Sequence, residues 1–364
     1  MEKNNGKDLK YLKLIEILKK MILEGKIDAG DKLPSENELS KEYQVSRHTV
    51  RKALAILENE GYVYAVHGKG TFCSELVRHT KTSKNVAVIT TYLSDYIFPS
   101  VIQGIDSVLT QNGYSILLKN TGNSRQTEAR CLEELLQKDI EGLIIEPSKS
   151  EIFCRHTALY EKMDQYNIPY VFIQGCFDQM REKPWVLMND YQGGYLVTNY
   201  LISLGHRNIL GVFKVDDLQG KERHRGYVRA LQEADILYDP ENVIWFHTED
   251  RTFKPFLQIQ ELLKRGRSFT AVVCYNDQIA LEVIRALGKC GKSVPEDISV
   301  TGYDNSFMAE NYKIGLTTIA HPQKQLGEIS AQLLLDLIQN PNKKENTHIL
   351  IEPKLVIRES CRKI

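Results

Sequence analysis

From Tyr11 onward the apolar positions Leu12, Ile15, Leu18, Ile22 and Leu23 return at helical spacing, which predicts a first helix closed by Gly25. The turn-rich string Ala29-Gly30-Asp31-Lys32-Leu33-Pro34 follows. Ser35, with Glu38 three positions on, has the pattern of a capping box, in which hydroxyl and carboxylate each take a backbone N–H at a helix start. A short second helix is predicted over SENELSKEYQ. Ser46 opens a third, whose apolar face is Val50, Ala53, Leu54 and Leu57 and which ends at Gly61. Two strand-like pieces, Tyr62–Val66 and Thr71–Cys73, flank the turn His67-Gly68-Lys69-Gly70. Three helices followed by a hairpin predict a winged helix-turn-helix.

Past residue 84 the rhythm changes. Short apolar runs, among them Val86–Thr90, Ser115–Leu118, Gly142–Ile145, Tyr170–Ile173, Ile209–Phe213, Ala271–Cys274 and Ile298–Gly302, alternate with stretches of helix length. That alternation predicts parallel sheets covered on both faces. The units are too many for one compact sheet and lack an eightfold barrel rhythm, so an α/β body of two doubly wound lobes is expected. LVRHTKTSK at 76–84 is polar and aperiodic, a linker. The expected division is a head over 1–75, a linker over 76–84 and a body over 85–364.

Composition adds modestly to this picture. The chain has 364 residues and a net charge of zero, yet residues 1–84 carry about four excess positive charges and the rest about four excess negative ones. A head that meets phosphates and a body that does not fit that asymmetry. The charged start MEKNNGKDLK lacks the apolar core of a secretory signal, and no run approaches the roughly 18 apolar residues that span a bilayer. Seven scattered cysteines without CxxC or Cys/His spacing suggest reduced thiols, with neither a disulfide framework nor a metal site. A cytoplasmic location with no membrane partner is expected.

A recognition helix enters the major groove by its first turns, so cationic and polar residues should gather there, off the core face. Arg47, His48, Thr49, Arg51 and Lys52 do so. Arginine can read guanine O6/N7 with two bonds, and the Ser46 and Thr49 hydroxyls suit phosphates. The Gly68-Lys69-Gly70 turn lets a charged wing tip come close to the backbone. Alone, RHTVRK would be merely a solvated helix face; the capped helix pair and the glycine turn favour DNA. Leu33-Pro34-Ser35-Glu36 with Leu39, then VSRHTVRKAL, then GYV and GKGTF, together resemble the DNA-binding domain of the GntR family over roughly the first 75 residues. The resemblance implies a homodimer on palindromic double-stranded operator DNA, with contact roles for Arg47, Thr49 and Arg51 and for the wing at Gly68 and Gly70. Ser35, Ser46, His48, His67 and Lys69 complete the candidate set. His67 stands where many family members have arginine, and a neutral histidine brings little charge to a minor groove.

In open α/β sheets ligands bind beyond the carboxyl ends of the strands. Here those places hold Thr91-Tyr92 and Asp95-Tyr96-Ile97-Phe98, Glu146, Gln174, Asn276-Asp277 and Tyr303-Asp304. Carboxylates and amides for vicinal hydroxyls, with rings for a C–H face, suit a neutral sugar. Asn276 and Asp304 read equally well as helix caps or turn formers; the recurrence after several strands carries the argument. LISL before Gly205-His206-Arg207-Asn208-Ile209, Arg223 before Gly226-Tyr227, VPEDISVTGYDN, and LTTI before Gly327 resemble the LacI/GalR effector-binding body from about Val86 to the end. That resemblance implies a periplasmic-binding-protein-like fold of two lobes joined by three crossovers, and homodimerisation through the body. It implies cleft roles for Glu146, Gln174, Arg223, Asn276, Asp304 and His321. A forked cation such as Arg223 can bridge adjacent sugar oxygens. TTYLSDYIFPSVIQGI is similar to the arabinose-responsive repressors of Gram-positive sugar catabolism. This adds Tyr92, Asp95 and Phe98 to the cleft, implies L-arabinose as a small-molecule effector, and leaves no cofactor to assign.

The expected function is thus a sequence-specific transcription repressor of sugar-utilisation genes, released from its operator by the sugar. The alternatives are a repressor of another sugar response, or a sugar-binding protein or enzyme of the same α/β fold. A catalytic role is disfavoured by the lack of a nucleophile elbow, a GxxxxGK[ST] loop or a GxGxxG fingerprint with a following acid.

Overall fold

The computed structural model describes residues 5–23, 26–74, 83–93, 97–341 and 345–364. Gly25, Asp95 and residues 76–82 of the expected linker lie outside the described residues. The chain divides into two compact units: the residues up to Asn85 with Leu132–Gly142 and His156–Pro169, and Val86–Cys131 with Leu143–Arg155 and Tyr170–Ile364.

The head is α1 (Asn5–Leu23), α2 (Glu36–Glu42), α3 (Arg47–Asn59), β1 (Val63–Val66) and β2 (Gly70–Cys73). The capping box at Ser35 forms as its spacing predicts: Glu38 N donates to Ser35 Oγ at 3.3 Å, and Ser35 N donates to Glu38 Oε2 at 2.7 Å. Ser46 Oγ accepts from Thr49 N at 3.2 Å and fixes the start of α3. Such caps contribute about 1 kcal/mol each to short helices that have little else to start them. Leu14, Leu18, Ile22, Leu39, Val50 and Leu57 pack into a core closed by Tyr62, Val63 and Cys73. The hairpin pairs Val63 with Cys73 and Val66 with Gly70, leaving a three-residue tip. Gly68 has φ +73° and Gly70 φ +118°, backbone that a side chain would strain.

After the head the chain continues as β3 (Asn85–Thr90), α4 (Phe98–Gln111), β4 (Ser115–Asn120), α5 (Arg125–Leu136), β5 (Gly142–Ile145), α6 (Thr157–Gln165), β6 (Tyr170–Ile173) and β7 (Trp185–Met188), whose strands belong to one lobe. The chain then crosses to α7 (Asp190–Ser203), β8 (Ile209–Lys214), α8 (Leu218–Glu233), β9 (Val243–Phe246), α9 (Lys254–Lys264), β10 (Ala271–Cys274), α10 (Asp277–Lys289), β11 (Ser299–Thr301), α11 (Phe307–Asn311) and β12 (Thr318–Ala320). It returns through α12 (Gln323–Gln339) and β13 (His348–Ile351), and crosses a third time at β14 (Lys354–Val356), which pairs antiparallel with β12.

The first lobe is a six-stranded sheet in the order β13-β7-β6-β5-β3-β4, and the second a four-stranded sheet in the order β11-β10-β8-β9. Strands β5, β6, β7 and β13 run parallel, as do β9, β8, β10 and β11. This is the doubly wound, three-crossover body expected. The apolar runs become fully buried strands because both faces are covered, as with Leu143, Ile144 and Ile145 or Val272 and Val273. Helices α7 and α8 touch backbone to backbone: a Cβ on Gly194 would overlap the Arg223 carbonyl, and one on Gly226 the Tyr191 carbonyl. That contact places α8, and Arg223 on it, against the mouth of the second sheet.

Candidate functional site

On the head, Arg47, His48 and Arg51 stand exposed along α3, while Val50, Ala53, Leu54 and Leu57 are buried on the opposite face. Arg51 is gripped side-on by Glu36 of α2, Nε at 3.1 Å and Nη2 at 2.8 Å from its two carboxylate oxygens. The bond from Arg51 holds the Glu36 carboxyl below its usual range. The fork is thereby held in one orientation by α2, so it has less side-chain freedom to lose in any further contact. Thr49 Oγ1 lies 2.8 Å from Ser46 Oγ. Lys52 departs from the cluster read in the sequence: its ammonium lies over the Tyr11 ring, 3.8 Å from the centroid, turned toward the head's own surface. His67, Gly68, Lys69 and Gly70 form the exposed wing tip, and Ser35 is exposed beside Glu36.

In the larger unit a cavity of about 740 Å³, counting its open mouth, lies where the strand ends of the two sheets face each other. It is lined by Tyr92, Phe98, Glu146, Gln174, Arg223, Asn276 and Asp304, seven of the nine positions singled out in the sequence. Asp95 lies outside the described residues. His321 is not on the lining; it is buried near Asp304 and Arg223, and both its ring nitrogens lack a hydrogen bond. Burial lowers its pKa to about 4, so it stays neutral. Asp277 follows its strand as Asp304 does, yet serves the framework, accepting from Ser306 N at 2.8 Å and Thr318 Oγ1 at 2.7 Å.

Arg223 is the centre of one wall. Its Nε donates to Asp190 at 2.8 Å and Nη1 to the Tyr275 carbonyl at 2.6 Å, while Nη2 is 3.7 Å from Asp304. The Tyr303 ring lies under it at 3.5 Å from the guanidinium carbon. Burial pushes the Asp190 carboxyl up to about 6, against the pull of Arg223. Asp304 has φ +99°, strained backbone that turns its side chain toward the same arginine.

The facing wall is built on Glu146, which accepts from Thr91 N at 2.9 Å and Thr91 Oγ1 at 2.6 Å. Burial raises its pKa to about 7, with the Thr91 bonds opposing. Gln174 has φ +63°, is 4% exposed, and its Nε2 has no hydrogen-bond partner. A buried amide donor left empty costs free energy, so the wall is incomplete until something accepts that proton. Tyr92 meets Phe98 edge-on at 6.0 Å, and the Arg251 guanidinium lies 4.4 Å from the Tyr92 ring centroid. Asn276 lines the cavity and also caps α10, accepting from Ile279 N at 3.0 Å, so both readings of that residue hold.

Several lining groups were not singled out in the sequence: Asn123, Lys214, Asp217, Gln219, Arg251 and Gln278. Lys214 is buried with Asp217 at 2.9 Å and Asp216 at 3.4 Å. Burial works against its charge, but the two carboxylates more than compensate and raise its pKa. Asp217 also accepts from the Tyr275 hydroxyl at 2.7 Å. Lys214 and Asp217 follow the apolar run of β8 directly, so the after-strand rule contained them. Arg251, in the loop before α9, carried no such signal.

The cleft therefore offers donors and acceptors on several sides and ring faces at one end, with Arg223 set between Asp190 and Asp304 and Lys214 between Asp216 and Asp217. Such a lining suits an uncharged polyhydroxylated molecule.

The comparisons with known proteins agree with both parts. Residues 10–73 match the model of bacterial regulatory proteins, gntR family, and residues 198–361 that of the periplasmic binding protein-like domain. A LacI family transcriptional regulator from Enterococcus faecium, solved with bound ribose, superposes with a TM-score of 0.65 at 29% identity, covering 77% of this chain and 99% of that one. Fold and site define a transcription regulator, not an enzyme, with a GntR-type winged-helix head and a LacI-like sensor body. The arabinose metabolism transcriptional repressor of Halalkalibacterium halodurans is 41% identical over 97% of this chain and 96% of its own. Its namesake from Geobacillus stearothermophilus is 38% identical over 98% of each. The chain belongs to this family of arabinose metabolism transcriptional repressors. No described helix is long and apolar enough to cross a membrane.

Proposed function

We propose that the protein is a cytoplasmic homodimer that holds a palindromic operator through two winged-helix heads and lets it go when L-arabinose fills the cleft. The observation that carries this is the incomplete wall at Gln174. Its buried Nε2 lacks an acceptor within a cavity lined by polar groups and rings. A pentose hydroxyl supplies that acceptor and can bridge toward Glu146 or Arg223. The names of the relatives support arabinose over other sugars. Ligand acts here only through its different affinity for the operator-holding and operator-free states. On the DNA side, Arg47 and Arg51 read base edges, Ser35, Ser46, His48 and Thr49 meet phosphates and neighbouring edges, and the wing from His67 to Gly70 lies along the backbone.

The test is operator binding by fluorescence anisotropy at fixed salt, using DNA from upstream of the protein's own gene and a panel of pentoses and hexoses. Release by L-arabinose alone is expected. Tight binding that no sugar disturbs refutes the effector reading, and release by another sugar reassigns it.

A further inference from the structure

The turn after β5 does more than follow a strand. Residues 149–151 reach from the first lobe to the second at several points. Ser150 Oγ accepts from Leu218 N, the first residue of α8, at 2.9 Å. Glu151 meets Lys221 Nζ at 2.6 Å. Lys149 bonds Glu249 and lies 3.7 Å from Asp216. Lys149 N also donates to Asn123 Oδ1 at 2.8 Å, and Asn123 Nδ2 donates across the gap to Thr248 Oγ1 at 2.7 Å. Thr248 closes the ring, donating to Asp216 from its amide at 3.1 Å and from its hydroxyl at 2.8 Å.

Two features separate this ring from ordinary surface pairing. Lys149 has φ +51°, a left-handed conformation that costs a non-glycine residue energy and is kept only where its surroundings enforce it. Its side chain is only 17% exposed and that of Asp216 1%, so the attraction between them is little screened. Lys149 does not line the cavity, whereas Asn123, which its amide orients, does.

We propose that Lys149 is a positioning residue for the effector: with Thr248 and Asp216 it forms a latch that fastens the two lobes across the cleft rim. The proposal rests on the effector reading above. The latch's bonds run from one lobe to the other, so they exist only while the lobes are together. Effector and latch favour the same closed state, and each strengthens the other. The latch sets how much sugar is needed without touching it.

The experiment measures L-arabinose affinity by calorimetry and operator release by anisotropy for the full-length wild type, Lys149→Met, Lys149→Arg and Thr248→Val. Lys149→Met and Thr248→Val are each expected to weaken sugar binding about 3- to 10-fold, the scale of one partly buried ion pair or hydrogen bond. The sugar concentration that half-releases the operator should rise by the same factor. Sugar-free operator affinity should stay within 2-fold of wild type, roughly the limit of resolution in such titrations. Lys149→Arg, which keeps the charge, should recover most of the loss. Unchanged sugar affinity in both Lys149→Met and Thr248→Val overturns the proposal. So does a matching loss of operator binding, or a failure of Lys149→Arg to recover, since a purely structural role predicts both. If the wild type binds no sugar, the effector reading fails, and the latch is then judged by amide hydrogen exchange at Leu218. Faster exchange there in Lys149→Met upholds the latch, and equal exchange overturns it.

Discussion

Replacing Arg223 by methionine tests whether this arginine is only a sugar ligand or also what keeps its wall folded. Methionine fills much of the same volume without charge, so the chief loss is electrostatic. Asp190 loses a 2.8 Å bond, and Asp304 loses a guanidinium 3.7 Å away. The magnitude follows from Asp190, whose carboxyl burial raises from its ordinary 3.8 to about 6 in the folded chain. A carboxyl raised in the folded state makes the protein lose stability as pH climbs from the unfolded value to the folded one, and the loss then stops. In the wild type the Asp190 contribution therefore levels off near pH 6. Without Arg223 the folded value moves higher, and the loss continues at about 1.4 kcal/mol per pH unit. Between pH 6 and pH 8 the variant should thus fall behind by up to about 3 kcal/mol, within the range for breaking a buried ion pair. The assay is urea unfolding at pH 5.5 and pH 8, followed by Trp245 in the second lobe after Trp185 is replaced by phenylalanine. A stability gap that is the same at both pH values refutes the reasoning. Near pH 6, where the variant stays folded, it should still bind operator and ignore sugar.

Three further outcomes follow from the same geometry. Arg47→Ala and Arg51→Ala should each cost about 1–3 kcal/mol of operator affinity and relax base preference, whereas Lys69→Ala should weaken all DNA alike and reduce the salt slope by about one, read by anisotropy at several salt concentrations. Glu146→Gln should flatten the stability profile between pH 4.5 and about 7, where the raised carboxyl makes the wild type lose about 3 kcal/mol as pH rises, measured by urea unfolding across that window. Gly194→Ala should cost about 1–3 kcal/mol in the second lobe and weaken sugar binding, because the added methyl overlaps the Arg223 backbone; melting with and without sugar checks both.

What could be read from the sequence was what local chemistry decides. The capping box at Ser35, the cap at Ser46 and strands such as Tyr170–Ile173 and Ala271–Cys274 formed where the spacing put them. Strands β12 and β14 were not legible: three mixed residues each, paired across more than thirty positions, they owe their form to each other and not to their own pattern. Asp277 and Asp304 carried one and the same signal, an acid after a strand. One supports the loop beside it and the other faces the cavity, because side-chain direction is set by backbone such as the φ of +99° at Asp304. Lys52 looked like its neighbours on α3 until the Tyr11 ring, forty residues earlier, claimed it. Arg251 gave no such signal, because the Tyr92 ring it lies over becomes its neighbour only in the folded chain.

The order in which the chain visits its lobes also governs how it is made. The core of the first lobe includes Leu326, Leu334 and Ile338 of α12, and its sheet is finished by β13 at one edge. A ribosome must therefore deliver residues beyond 351 before that lobe can close, and the second lobe must be threaded in between. The described core of the head draws on residues between 11 and 73 and is complete when most of the chain is still unmade. Each new molecule thus owns its DNA-reading part well before it owns the part that answers to a ligand. A nascent or truncated chain consequently has a finished winged-helix head and no two-lobed body.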